Sequence, residues 1–176
     1  MTLKSAILSL VVLANATGQP RHPQQFLIHT LNGSSIDVAQ YRGKVVIVEF
    51  LLTTCPHCQH LATILKKLQS EYGPDRLQVV GCAVEDSAPA RVGAFVAQLD
   101  PRFPVGFAGR YATNAYLEHD PKVLLKMPQL VFIDKAGIRR AKYIGDDPFF
   151  TKDEEANIRK QIEDLSRESR SISAGR

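Results

Sequence analysis

The chain has 176 residues, with 22 Lys and Arg against 18 Asp and Glu and a formal net charge of +4. That length fits one domain with enough apolar content for an ordinary core. The basic residues are dispersed apart from Arg167, Arg170 and Arg176, and no basic run is interleaved with aromatics, so nothing supports nucleic-acid binding.

The chain opens with "MTLKSAILSLVVLANATGQP". Lys4 supplies a positive start, Ser5 to Leu13 is almost wholly apolar, and Ala14-Asn15-Ala16 has the small-x-small pattern that signal peptidase cuts after. The apolar run is too short to cross a bilayer, which takes ~20 residues. The polar, proline-rich "TGQPRHPQQ" behind it argues against a buried helix. Residues 1–16 are therefore expected to be a signal peptide and 17–176 one domain, ordered over about 24–165 and polar from Ser166 onward. No cysteine stands at the cleavage point, so neither a lipid nor any other stable membrane anchor is expected after cleavage. The mature chain would be periplasmic or secreted, where disulfides persist.

Further along, "FLIHTLNGSSIDV" is two short β-like runs around Asn32-Gly33, a strong hairpin signal. After a turn at Arg42-Gly43, "KVVIVEFLL" (44–52) is a continuous apolar run, which reads as a central strand buried on both faces. Leu61, Ile64, Leu65 and Leu68 fall at helical spacing and predict a helix over 57–70, ended by Tyr72-Gly73-Pro74. "LQVVGCAV" (77–84) is a second buried strand, making residues 44–84 a βαβ unit with parallel strands. Ser87 is placed to cap a helix with Val92, Phe95, Val96 and Leu99 on one face. "RFPVGFA" is a short extended piece, and 109–119 a weak helix. "QLVFID", Lys135-Ala136-Gly137 and "IRRAKYIG" make an antiparallel hairpin. Thr151 and Glu154 read as a capping box opening a last helix with Ile158, Ile162 and Leu165 inward.

Two of the three cysteines stand in Cys55-Pro56-His57-Cys58. The pair reads as a redox couple, as half of a zinc site, or as two inert buried thiols. A thiol is a nucleophile only as thiolate, and Cys55 falls between a central strand and a helix start. There the unpaired amides and the positive dipole end favour the anion. Pro56 suits the first helical turn because it has no amide hydrogen to leave unpaired. Cys58 lies one turn further in, near enough to close a disulfide and more buried. This layout makes Cys55 the attacking thiol and Cys58 the resolving one. Zinc wants four ligands, yet there is no second CxxC and no HxxxH, leaving only Cys82, His57, His60 and distant histidines.

The run "GKVVIVEFLLTTCPHCQHLATILKKL" resembles the thioredoxin superfamily. With the N-terminal hairpin and "MPQLVFIDKAGIRRAKYIG" it is similar to the TlpA/ResA-like extracytoplasmic branch over roughly residues 24–165. The resemblance implies an α/β thioredoxin fold, a mixed central sheet flanked by helices, with the hairpin as an N-terminal extension. It implies thiol–disulfide exchange by Cys55 and Cys58, and a cis Pro128, preceded by Met127, facing them. Glu49 stands where thioredoxins place a buried acid. Inside "VVIVEFLL" it is either a buried group of raised pKa that takes or gives the Cys58 proton, or an edge residue with its head in water. The chain departs from the branch at Thr54, where most relatives have tryptophan, and at Leu61, where ResA-like proteins often have glutamate. The Pro-His pair is instead similar to that of DsbA-type oxidases, without room for their helical insertion.

His57 either donates a hydrogen bond or positive charge to the Cys55 thiolate, or is an exposed loop side chain. His60 reads as a surface residue. Cys82 reads as a buried structural thiol, with a regulatory or second resolving role as the alternative. The expected function is an extracytoplasmic thiol–disulfide oxidoreductase acting on protein thiols and disulfides, its direction open. No nicotinamide, flavin or metal site is legible, so no cofactor is expected and electrons would pass to or from a redox partner protein. The rivals are a peroxiredoxin, disfavoured because Leu52 stands where threonine is wanted, and a copper-binding chaperone using the cysteines with a histidine such as His119. With charge from His57, the couple is expected to be more oxidising than thioredoxin's ~−270 mV.

Overall fold

The computed structural model describes residues 25–173; the expected signal peptide lies outside the described residues. Leu27–His29 (β1) and Ser35–Asp37 (β2) form the first hairpin around Gly33, whose φ of 82° suits glycine. Val45–Leu51 (β3), helix Pro56–Tyr72 (α1) and Leu77–Ala83 (β4) make the βαβ unit, with β3 and β4 parallel. Ala88–Leu99 (α2) leads to Val105–Phe107 (β5), parallel to β4, and Arg110–Leu117 (α3) follows. Gln129–Ile133 (β6) and Arg139–Ile144 (β7) are the second hairpin, and Pro148–Thr151 (α4) and Glu154–Ser173 (α5) close the fold.

The seven strands form one mixed sheet in the order β2-β1-β5-β4-β3-β6-β7. The N-terminal hairpin extends the edge at β5, where His29 pairs with Phe107. Gly106 permits this approach, since a Cβ there would collide with the His29 carbonyl. All seven residues of β3 are buried, as expected of a strand covered on both faces. Its alternation sorts the core into two halves. Val45, Ile47 and Leu51 pack with α1, α2, Phe150 and α5, whereas Val46, Val48 and Phe50 pack with Phe26, Tyr116 and Leu117 on the other side.

Helix α1 buries Leu61, Leu65 and Leu68, the predicted apolar face, and also Gln69. The Gln69 side-chain amide donates to the Leu77 carbonyl at 2.9 Å, and its oxygen accepts from the Val79 amide at 2.7 Å. The helix carrying the cysteines is thereby stapled to β4.

Several local expectations differ from the structure. Ser87 occupies the cap position of α2, but its hydroxyl makes no capping bond. Val96 is exposed, because α2 buries only the narrower stripe Ala88, Val92 and Phe95. The capping box does not form: the Thr151 hydroxyl donates to the Pro148 carbonyl within α4, and α5 starts at Glu154 itself. Asp153 lies between them at a φ of 53°, which breaks the helical path the box would need. Finally, α5 continues through Ser166, which is buried and donates to the Ile162 carbonyl at 2.7 Å.

Replacing Gln69 by Ala leaves two buried backbone groups without partners. Equilibrium urea unfolding is expected to show a loss of about 2–4 kcal/mol with an unchanged slope.

Candidate active site

Cys55 is the cap residue of α1, with Pro56 in the first turn. Its backbone is fixed on both sides, for the Cys55 amide donates to the Leu52 carbonyl at 3.1 Å and the Gln59 amide to the Cys55 carbonyl at 3.0 Å. The preceding loop is held more firmly. The Thr53 amide donates to Glu85 Oε1 at 2.9 Å, the Thr53 hydroxyl bonds the same oxygen, and Gln59 Nε2 donates to the Thr53 carbonyl at 2.8 Å. Glu85 was not singled out from the sequence, where it is one acid in a polar stretch after a strand.

The three cysteines are free thiols; Cys55 is half-buried, while Cys58 and Cys82 are buried. Burial pushes the Cys58 thiol well up, and both its hydrogen bond with the Cys55 sulfur and the nearby Glu49 charge add to this, against the Leu52 backbone. Cys82 belongs to the core half on the opposite face of the sheet from Cys58, with its thiol also pushed up by burial. It cannot reach the pair without crossing the sheet.

Glu49 is 0 % exposed, and neither carboxyl oxygen has a hydrogen-bond partner. It is flanked across the strands by Gly81 and Leu130. Alternation along β3 points it to the same face as Leu51, the face covered by α1 and α5. Burial raises its pKa well above the carboxylate range, and the charges of Glu154 and Cys55 raise it further. The edge position with its head in water does not apply.

His57 meets a carboxylate from α5. Its Nε2 lies 3.2 Å from Glu154 Oε1, a ring N–H to carboxylate contact, and its ring stands edge-on to Phe150. His60 is exposed, as expected, but its Nε2 comes within 3.6 Å of Glu154 Oε2. Sequence reading assigned Glu154 to a helix cap, so its place beside the motif was missed.

The Met127–Pro128 bond is cis. Met127 rests on the same apolar cluster as Cys55. A cleft of about 430 Å³ runs from Leu52 and Val84 to Met127, with Glu85, Arg110 and the exposed Leu124 among its walls. His119 bonds the Val123 carbonyl at 3.0 Å. Among the described residues no group of three or more His, Cys, Asp or Glu is placed to hold a metal ion.

A mixed sheet of this order, with helices on both sides and a cysteine pair opening the helix after its central strand, defines an oxidoreductase of the thioredoxin superfamily. Residues 16–162 match the Redoxin family, to which the chain belongs. It is 26% identical over 122 residues, 68% of either chain, to the thioredoxin-like protein YneN of Bacillus subtilis (strain 168). Among solved structures it is similar to a thiol:disulfide interchange protein of Chlorobium tepidum TLS (TM-score 0.70, 20% identity, 86% of this chain and 99% of that one). It is also similar to a secreted Mycobacterium tuberculosis disulfide oxidoreductase homologous to E. coli DsbE (TM-score 0.59, 20% identity, 78% and 94%).

A carboxyl whose pKa is raised by folding stabilises the native state only while protonated. That stability is present below the unfolded value, near ~4.3, and is lost as pH rises through the folded one. Glu49→Gln should therefore match the wild type in acid and become progressively more stable above it, by about 1.4 kcal/mol per pH unit until Glu49 ionises. Denaturant unfolding across pH measures the gap; a constant difference would count against a neutral, buried Glu49.

Proposed function

We propose that the protein is an extracytoplasmic thiol–disulfide oxidoreductase that exchanges disulfides with partner proteins through Cys55 and Cys58. The observation that carries the reading is the asymmetry of the pair: a half-buried Cys55 at the helix start and a sealed Cys58 beside the unpartnered Glu49. In the reducing direction the Cys55 thiolate attacks a partner's disulfide. A Cys55–partner disulfide forms, and the partner's other sulfur leaves as thiolate. Glu49 then takes the Cys58 proton, Cys58 attacks the Cys55 sulfur, and the second partner thiolate departs, leaving the Cys55–Cys58 disulfide. The oxidising direction is the same path reversed.

The electrostatics fit this order. While Cys55 is an anion its charge helps hold the proton on Glu49. Forming the mixed disulfide removes that charge, so Glu49 becomes a carboxylate more readily when Cys58 needs a base. The cleft between Leu52 and Met127 offers the partner's chain a partly apolar surface next to the cysteines. Pro56 and Pro128 complete the proposed site: Pro56 by fixing the first turn of α1, Pro128 by shaping the loop at the foot of β6. The extracytoplasmic setting rests on the residue 1–16 pattern and is checked by the N-terminal sequence of the mature protein.

Cys58→Ser is expected to accumulate mixed disulfides with partner proteins, seen as thiol-sensitive adducts on non-reducing gels, and Cys55→Ser to form none. Equal trapping by the two variants would refute the assignment. Glu49→Gln should leave the attack by Cys55 nearly intact and slow resolution, by up to ~10²–10⁴-fold.

A further inference from the structure

One half-buried carboxylate takes no part in the exchange chemistry above. Glu154 opens α5 with its side chain only 10% exposed, and its two oxygens face His57, 36% exposed, and His60, 67% exposed. Two cations of this corner are engaged elsewhere: Lys67 bonds Glu155 at 2.8 Å, and Arg159 bonds Glu71 at 2.7 Å and Glu155 at 3.0 Å. The Phe150 ring walls off His57 from α4 with no charge of its own. Inward, α1 and α5 cover the face of the sheet to which Glu49 points, and the Glu154 charge adds to the burial that raises the Glu49 pKa. The amides at the start of α5 favour the anion at this position.

We propose that Glu154 is a positioning residue for the resolving step: held by His57 and His60 at the mouth of α1, its carboxylate sets how readily Glu49 takes the Cys58 proton. The inference rests on Glu49 being that base. The physical reason is that two carboxylates sharing a poorly solvated region cannot both ionise cheaply. Glu154 has a hydrogen-bond donor in His57, whereas Glu49 has none, and burial and the Glu154 charge raise the Glu49 pKa. The imidazoles moderate the effect by drawing Glu154's charge toward themselves and toward solvent. The titratable groups around this pair are Glu49 from β3, Cys55 at the cap of α1, His57, Cys58, His60 and Lys67 from α1, Asp153 just before α5, and Glu155, Arg159, Lys160 and Glu163 from α5.

The test is the reaction of the reduced protein with dithiobis(nitrobenzoate), which releases one aryl thiolate when Cys55 attacks and a second when Cys58 resolves. The rate of the second phase is followed against pH. In the wild type it should rise with pH as Glu49 loses its proton. Glu154→Gln keeps the shape and removes the charge. It should move that rise about 0.5–1 pH unit lower, making the second phase about three- to tenfold faster on the acid side. The double replacement His57→Gln, His60→Gln leaves the carboxylate uncompensated and should move the rise higher. In a Glu49→Gln background neither change should shift the profile. A wild-type rise that both replacements leave in place overturns the inference alone. A wild-type second phase indifferent to pH overturns the Glu49 reading, and the inference with it. If Glu154→Gln does not fold, the histidine replacement carries the test by its sign, and a shift to lower pH there is also a refutation.

Discussion

A carboxyl group at the centre of a strand covered on both faces is the constraint around which this site is built. Ionising Glu49 where no donor reaches it costs several kcal/mol, and this burial raises its pKa well above the usual carboxylate value. The side chain is not shielded by accident. Gly81 and Leu130 flank it across the sheet, and α1 and α5 cover its face. An acid so placed contributes nothing to packing that a leucine would not do better. In the proposed mechanism it is the proton store next to the Cys58 thiol, whose pKa burial raises.

The same strand determines where the thiols stand. Alternation in β3 sends Glu49 and Leu51 to the α1 face, and the chain leaves the strand directly into the Thr53–Thr54 loop and the first turn of α1. One helical turn then carries Cys58 inward over that face while Cys55 stays at the rim. Two staples keep the alignment: Gln69 ties the far half of α1 to β4, and Glu85 with Gln59 holds the loop before Cys55. Cys82 shows the same logic in reverse, since one position of parity puts its thiol into the other half of the core.

The fold was largely legible in the sequence because its signals are local: the apolar run of β3, the period of α1, and the turns at Asn32-Gly33 and Lys135-Ala136-Gly137. The extent of the helices was less so. A capping box was read at Thr151 and Glu154 because the spacing is right, but the positive φ of Asp153 separates them. The cysteines, Glu49 and the cis Met127–Pro128 bond could be located in advance, from chemistry and from resemblance. Gln69, Glu85 and Glu154 could not. Each is an ordinary polar residue in its own segment, and each acquires its meaning from a partner on another element.

His57 shows how far this limits the reading of a short motif. The residues between two such cysteines are usually taken to act on the adjacent sulfur, which would make His57 a local source of positive charge. Here its ring is bonded to a carboxylate 97 positions away, so whatever charge it carries arrives with an opposite charge attached. A compensated imidazole stabilises a neighbouring thiolate far less than a free one, because the field of the pair falls off faster than that of a single charge. The Pro-His sequence is therefore not a sufficient guide to how oxidising this couple is. Its influence is decided jointly by the first turn of α1 and the first turn of α5, which the fold brings to the same corner of the sheet.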